Sequence, residues 1–489
     1  MKKILFLIII LLVLLITILL INTISDQPEK ITVDPIVPLE IGDDAIERLV
    51  QAIKIPTISY DDPLLMDTTA FKALHNFMES AFPLVHSKLQ REVIHGYSLL
   101  YKWSGKNKEL PPVILMGHMD MVPVEEASLH LWEVDPFGGI IKDGFIWGRG
   151  TLDDKNGVLG ILEAVEILLK EGHMPEADIY LAFGHDEEAG GNGAIATTEL
   201  LKSRNIRAGL ILDEGGIVAD GIVPGVHELV SLIGTAEKGQ TSIELSVNLE
   251  GGHSSMPSKE TAIELLSRAV VRLRENPFPA RITAPVEGLL NTIKPYMSFF
   301  QRMVLSNIWL FKPAIINNYE QSPSGNATIR TTTAPTIFRS GIKENLLPAE
   351  ATAILNFRIL PGETTDNVIE HVKKVIEDDR IIVKKVGSAQ EPSFISSSNN
   401  IEFNTIKISL KQIFGDIIVS PYLVVGATDA RHYKDISDNI YRFSPMILVS
   451  EDLKRIHGLN ERISVENYKN GIRFYYQLIK NIDFNYLNE

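Results

Sequence analysis

Three apolar runs in the first half of this chain each lead straight into charged residues. PPVIL (111–115) continues into GHMDMVP (117–123). ADIYLAF (177–183) continues into GHDEE (184–188), and AGLIL (208–212) into DEGG (213–216). Runs of this length and content read as buried strands. Between them lie two helical patterns, an amphipathic one at 155–171 and another at 193–204. Strand, helix, strand, helix, strand in this order predicts an α/β domain with a mostly parallel central sheet. In such sheets sites form at the carboxyl ends of the strands, where these charges sit.

The 489 residues are too many for one typical core, so at least two domains are expected. Near residue 237 the texture changes. TSIELSVNLEGG alternates as a half-exposed strand does, a helix follows at 261–275, and ATAILNFRILPG and RIIVKKVG flank another at 366–379. This predicts an α+β insert. After about residue 396 the α/β texture returns, with helices at 401–414 and 465–482. The expected division is an N-terminal apolar segment at 1–22, a linker at 23–42, a catalytic domain in two parts (43–234 and 396–489), and the insert at 235–395.

At the N-terminus Lys2 and Lys3 precede an 18-residue run, Ile4 to Ile21, that is apolar except for Thr17. That is the lower edge of a bilayer-spanning length. The exit, NTISDQPEK, has no small-residue cleavage pattern. The run reads as an uncleaved transmembrane anchor, with a cleaved signal as the alternative. The lysines place the N-terminus inside and the body outside the cytoplasm. A net charge of −15 argues against nucleic acid as a partner. With no cysteine in the chain, any metal must be held by His, Asp and Glu.

Five segments offer such donors. His118 and Asp120 close the first strand, in the spacing of a ligating imidazole and the carboxylate that orients it. GRGTLDDKNG (148–157) places Asp153 and Asp154 in a glycine-rich turn before a helix. It lacks the spacing of a phosphate-binding loop, and its acids repel phosphate. Glu187 and Glu188 at the third site suit a division between general base and metal ligand. Asp213 ends another strand, and His457 lies in a late loop. Each has an ordinary reading as a strand-end or loop residue. Their joint placement is what suggests one site.

In the order GHMDMVP, GRGTLDDKNG, GHDEE, LDEGG, GGHSS, NLLPA, GATDAR, RIHGLNE, the chain resembles the dinuclear zinc aminoacylase and carboxypeptidase family. IRTTTAPTIF, NFRILPGET and DLKRIHGLNERIS are similar to its carboxypeptidase S branch. The resemblance implies a zinc-peptidase catalytic domain and two Zn2+ ions, replaceable by Co2+ or Mn2+. It implies Asp153 as the bridge, His118 and Asp213 on one metal, and His457 and Glu188 on the other. Asp120 would orient His118, and Glu187 would act as base. A cis peptide is implied at Asp153–Asp154. His253 would stabilise the oxyanion, with Asn345, Arg358 and Arg431 as substrate contacts. The insert at 235–395 would be a lid or dimerisation domain, and a homodimer through the lid is compatible with the resemblance.

Substrates of the family carry a free carboxylate, for which arginine is the natural partner. The expected activity is metallocarboxypeptidase cleavage of short peptides. The alternative is hydrolysis or synthesis of N-fatty-acyl amino acids. The apolar stretch 286–311, VEGLLNTIKPYMSFFQRMVLSNIWLF, fits an acyl groove, a surface near the membrane, core packing or a dimer face. A catalytically silent envelope binding protein is the reading from outside enzymology, although every metal position and the base are present.

Overall fold

A computed structural model describes residues 1–488 apart from 30 and 32. Those two fall within the expected linker and lie outside the described residues. The body is built on a ten-stranded mixed, mostly parallel sheet. Its order is Gln90–Ile94, Ser98–Trp103, Ile179–Gly184, Val113–His118, Leu210–Asp213, Ile440–Arg442, Val230–Glu237, Val218–Ala219 and Ile447–Leu448, with Ile418–Val424 also on Val230–Glu237. A separate four-stranded antiparallel sheet forms the lid, in the order Thr332–Ser340, Glu350–Ile359, Gly239–Asn248, Ile381–Gln390.

The strands that carry the charges are neighbours in parallel register. Val113–His118 runs beside both Ile179–Gly184 and Leu210–Asp213, with His118 opposite Gly184. Both faces of these strands are buried, which is why they read as continuous apolar runs. Helix Lys155–Lys170 covers one face together with the last helix, Val465–Asn488, which is longer than the sequence pattern implies. The lid helices start where capping is strongest. Thr261 and Glu264 form a reciprocal capping box before Ala262–Glu275.

The chain enters the lid at Glu237–Gly239 and returns near 390–396, and the two crossings are bonded side by side. Ser396 N donates to Thr235 O at 2.8 Å, Ser393 N donates to Glu237 O at 3.2 Å, and Glu237 N donates to Ser393 Oγ at 2.9 Å. Glu237 is fully buried and its charge is matched by Arg442 at 2.8 Å. Lys238, also buried, donates to the carbonyls of Ala327 and Arg330.

The apolar stretch folds into helices Ala284–Ile293, Phe299–Ser306 and Ile308–Glu320, followed by Pro323–Ile329. It lies against the catalytic sheet rather than the lid sheet. Helix Ala284–Ile293 rests on strand Ile418–Val424, where a Cβ on Gly288 would stand 2.5 Å from Pro421 Cγ. The N-terminal apolar helix spans Lys2–Ser25 and is almost wholly exposed, with the length and composition of a membrane span or a signal.

Candidate active site

Asp153 stands between two histidines. His118 Nε2 is 2.7 Å from Asp153 Oδ1, and His457 Nε2 is 3.0 Å from Asp153 Oδ2. Glu188 Oε1 lies 2.9 Å from the same His457 nitrogen. Glu214 Oε1 lies 4.0 Å from His118 Nε2. Two donor groups therefore share one carboxylate: His118, Asp153, Glu214 and Asp153, Glu188, His457. Two imidazoles and three carboxylates without sulfur form a donor set suited to a pair of divalent ions.

Each donor is held from behind. Asp120 is fully buried and its carboxylate lies 3.3 Å from His118 Nδ1. Ser59 Oγ donates to it at 2.6 Å, and the backbone N–H groups of Glu187 and Glu188 donate at 3.2 Å each. One carboxylate thus aims an imidazole and fixes the turn bearing both glutamates. Asp154, joined to Asp153 by a cis peptide, points away beneath the strand end. Its carboxyl is buried, and burial pushes its pKa well above the usual range. Glycine is required around it: a Cβ on Gly117 or Gly157 would come within 2.7 Å or 2.4 Å of its oxygens.

The loops of Asp153 and His457 are tied together by a buried ion pair. Arg149 Nη1 meets Glu461 Oε2 at 2.6 Å, and Arg149 Nη2 donates to His457 O at 3.2 Å. Glu461 Oε1 accepts from Leu152 N at 2.8 Å. His457 itself adopts a left-handed backbone, φ 57°. Hydrogen bonds to Asp153 and Glu188 raise its pKa to about 10. Burial alone would lower His118, but Asp120 and Asp153 raise it well above its ordinary value.

Glu187 lies beside this centre, its pKa raised to about 7 chiefly by burial. Arg431 Nη1 contacts its Oε1 at 2.9 Å. Arg358, on lid strand Glu350–Ile359, is near enough to Arg431 that their charges oppose each other. Burial is the larger cause of its lowered pKa. His253 and Asn345 are brought together elsewhere, on an exposed two-stranded ladder of the lid where Ser254 N donates to Asn345 O at 3.2 Å. Ser255 donates to His253 Nδ1.

Asp213 is the expected ligand that the geometry does not favour. Both its oxygens serve backbone donors, Glu214 N at 3.0 Å and Ala430 N at 2.7 Å. The adjacent Glu214 faces His118 instead. The string LDEGG carries two neighbouring acids, and only a view of the strand end tells which one faces the histidine. Ser59, Arg149 and Glu461 were also missed, because each acts from a distant segment through the folded chain.

Residues 114–481 match the model of peptidase family M20/M25/M40. The chain is 42% identical over 442 residues to the probable carboxypeptidase S-like 2 of Dictyostelium discoideum, covering 89% of this chain and 85% of that one. It is 41% identical to the N-fatty-acyl-amino acid synthase/hydrolase PM20D1 of Xenopus tropicalis, covering 90% and 86%. The fold is similar to the crystal structure of an M20 family metallo-carboxypeptidase, Sso-CP2 from Sulfolobus solfataricus, with TM-score 0.67, 18% identity, and coverage of 91% of this chain and 100% of that one. With two donor groups meeting at one aspartate and a match of this extent, the chain belongs to peptidase family M20/M25/M40 as a metal-dependent hydrolase of carboxypeptidase S-like type.

Proposed function

We propose that this protein hydrolyses the amide bond next to a free-carboxylate residue, acting as a carboxypeptidase on short peptides. The observation that carries this is the pair of donor groups sharing Asp153 with Glu187 alongside. In this reading His118, Asp153 and Glu214 hold one zinc, and Asp153, Glu188 and His457 the other. The ion pair, when bound, supplies Lewis acidity toward the carbonyl and lowers the pKa of water. Glu187 takes the proton of the attacking water and hands it to the leaving nitrogen. Its raised pKa suits both halves of that transfer. Asp120 keeps His118 oriented and holds Glu187 in place through its backbone. Arg431 and Arg358 form the receptor for the substrate carboxylate, and entry of that anion relieves their mutual repulsion. His253 and Asn345 serve the substrate from the lid, either after lid closure or across a lid-mediated homodimer.

The same chemistry acts on an N-fatty-acyl amino acid, which also presents an amide beside a free carboxylate. The similarity to a synthase/hydrolase of that class favours this second reading. Parallel assays of a dipeptide and an N-oleoyl amino acid separate the two. Turnover of neither by the zinc-loaded protein would overturn the proposal. The N-terminal helix is retained as an anchor in this reading, with the body outside the cytoplasm.

Chelation is expected to remove turnover and to lower thermal stability together, because Asp153, Glu188 and Glu214 then repel one another without a cation between them. Activity that survives exhaustive metal removal would contradict the assignment. Glu214→Gln is expected to reduce bound zinc from two ions to about one per chain, read by elemental mass spectrometry. Asp213→Asn should keep the metal and lose stability, since an amide cannot accept from both backbone donors through two oxygens. The opposite pattern would return Asp213 to the ligand set.

A further inference from the structure

The apolar N-terminal helix touches the body only near its carboxyl end, where Leu15, Leu19 and Asn22 are partly covered and Thr23 is buried. The clasp is the junction of helices Phe299–Ser306 and Ile308–Glu320. Asn307 is fully buried there. Its Nδ2 donates to Leu19 O at 3.3 Å and Met303 O at 2.8 Å, and its Oδ1 accepts from Asn22 Nδ2 at 2.9 Å. Lys294 pairs with Asp26 at 2.9 Å just beyond. Leu19 belongs to the apolar run, roughly 3 Å inside its end at Ile21 at 1.5 Å per residue. The junction therefore stands level with the last turn of the apolar segment, at the depth of an interfacial layer.

Around that junction the surface is aromatic and bare. Phe299, Phe300, Trp309 and Leu310 are 48%, 74%, 61% and 40% exposed. Tryptophan and other amphipathic aromatics concentrate at the headgroup level of bilayers. We propose that this corner is seated in the lipid bilayer, so that the body rests on the membrane on a second apolar foothold beside its anchor. The occupant is lipid rather than a second copy of the chain because the patch adjoins a helix whose exposed surface between Ile4 and Ile21 is apolar except at Thr17. The asparagine clasp fixes the two at one height. The proposal rests on retention of the helix, not on which amide is cleaved.

Trp309 makes the test direct. The other tryptophans, Trp103, Trp132 and Trp147, are buried. The full chain is reconstituted in phosphatidylcholine vesicles whose acyl chains carry bromine near the ester end. The fluorescence component lost in Trp309→Phe is expected to fall roughly twofold or more in brominated relative to unbrominated vesicles, and to resist aqueous acrylamide. Quenching by acrylamide without quenching by bromolipid would overturn the proposal. Protection from both would also overturn it and would point to a second copy covering the patch. Resistance of the reconstituted chain to alkaline extraction reports helix insertion separately, so loss of the anchor and failure of the foothold are distinguishable.

Discussion

Glu187→Gln is expected to lower kcat by about 10²–10⁴-fold while leaving bound metal unchanged. The expectation follows from where Glu187 stands. Its side chain, 10% exposed, lies beside the donor groups but belongs to neither, so an amide in its place removes a proton acceptor and none of those donors. Burial raises its pKa to about 7, so the carboxylate takes a proton from water near neutrality and gives it up again to a leaving nitrogen. The side chain of glutamine keeps the volume and still accepts from Arg431, so folding should be preserved. Elemental analysis and kcat measured on the same sample check it. Near-normal kcat with full metal content would remove Glu187 from the role of base.

The catalytic half was legible because its strands are buried on both faces and end in acids. Those runs form parallel neighbours, which sets the strand ends leading to His118, Glu188 and Glu214 side by side. Strand Val230–Glu237 was not legible. It is buried throughout, yet its sequence, VSLIGTAE, interrupts the apolar run with serine, glycine, threonine and glutamate. Those polar groups are tolerated through tertiary contacts: Glu237 meets Arg442 and Thr428, and Thr235 takes a hydrogen bond from Ser396. Lid strand Thr332–Ser340 escaped for the opposite reason, being largely exposed at the edge of its sheet. At the site, spacing and resemblance singled out His118, Asp153, Glu188 and His457, which the fold brings together. The choice between Asp213 and Glu214 depends on two backbone N–H groups, one of them from Ala430, more than two hundred residues away.

Glu461→Ala is expected to destabilise the protein by about 3–5 kcal/mol, the usual consequence of stranding one member of a buried ion pair. Arg149 would be left in a site only 4% exposed with no counter-charge. The loss should reach the metal centre as well. Glu461 holds Leu152, next to the bridging Asp153, and through Arg149 it holds the carbonyl of His457. A double variant, Arg149→Met with Glu461→Leu, separates the two effects. Apolar replacement of both partners commonly restores the stability of a buried pair, but these side chains cannot bond to Leu152 N or His457 O. Thermal denaturation should therefore recover toward that of the unmodified chain, while zinc affinity stays about 10–100-fold weaker, as expected when support behind metal ligands is lost. Recovery of both together would mean that the pair serves only the core and that the His457 loop is held by other contacts.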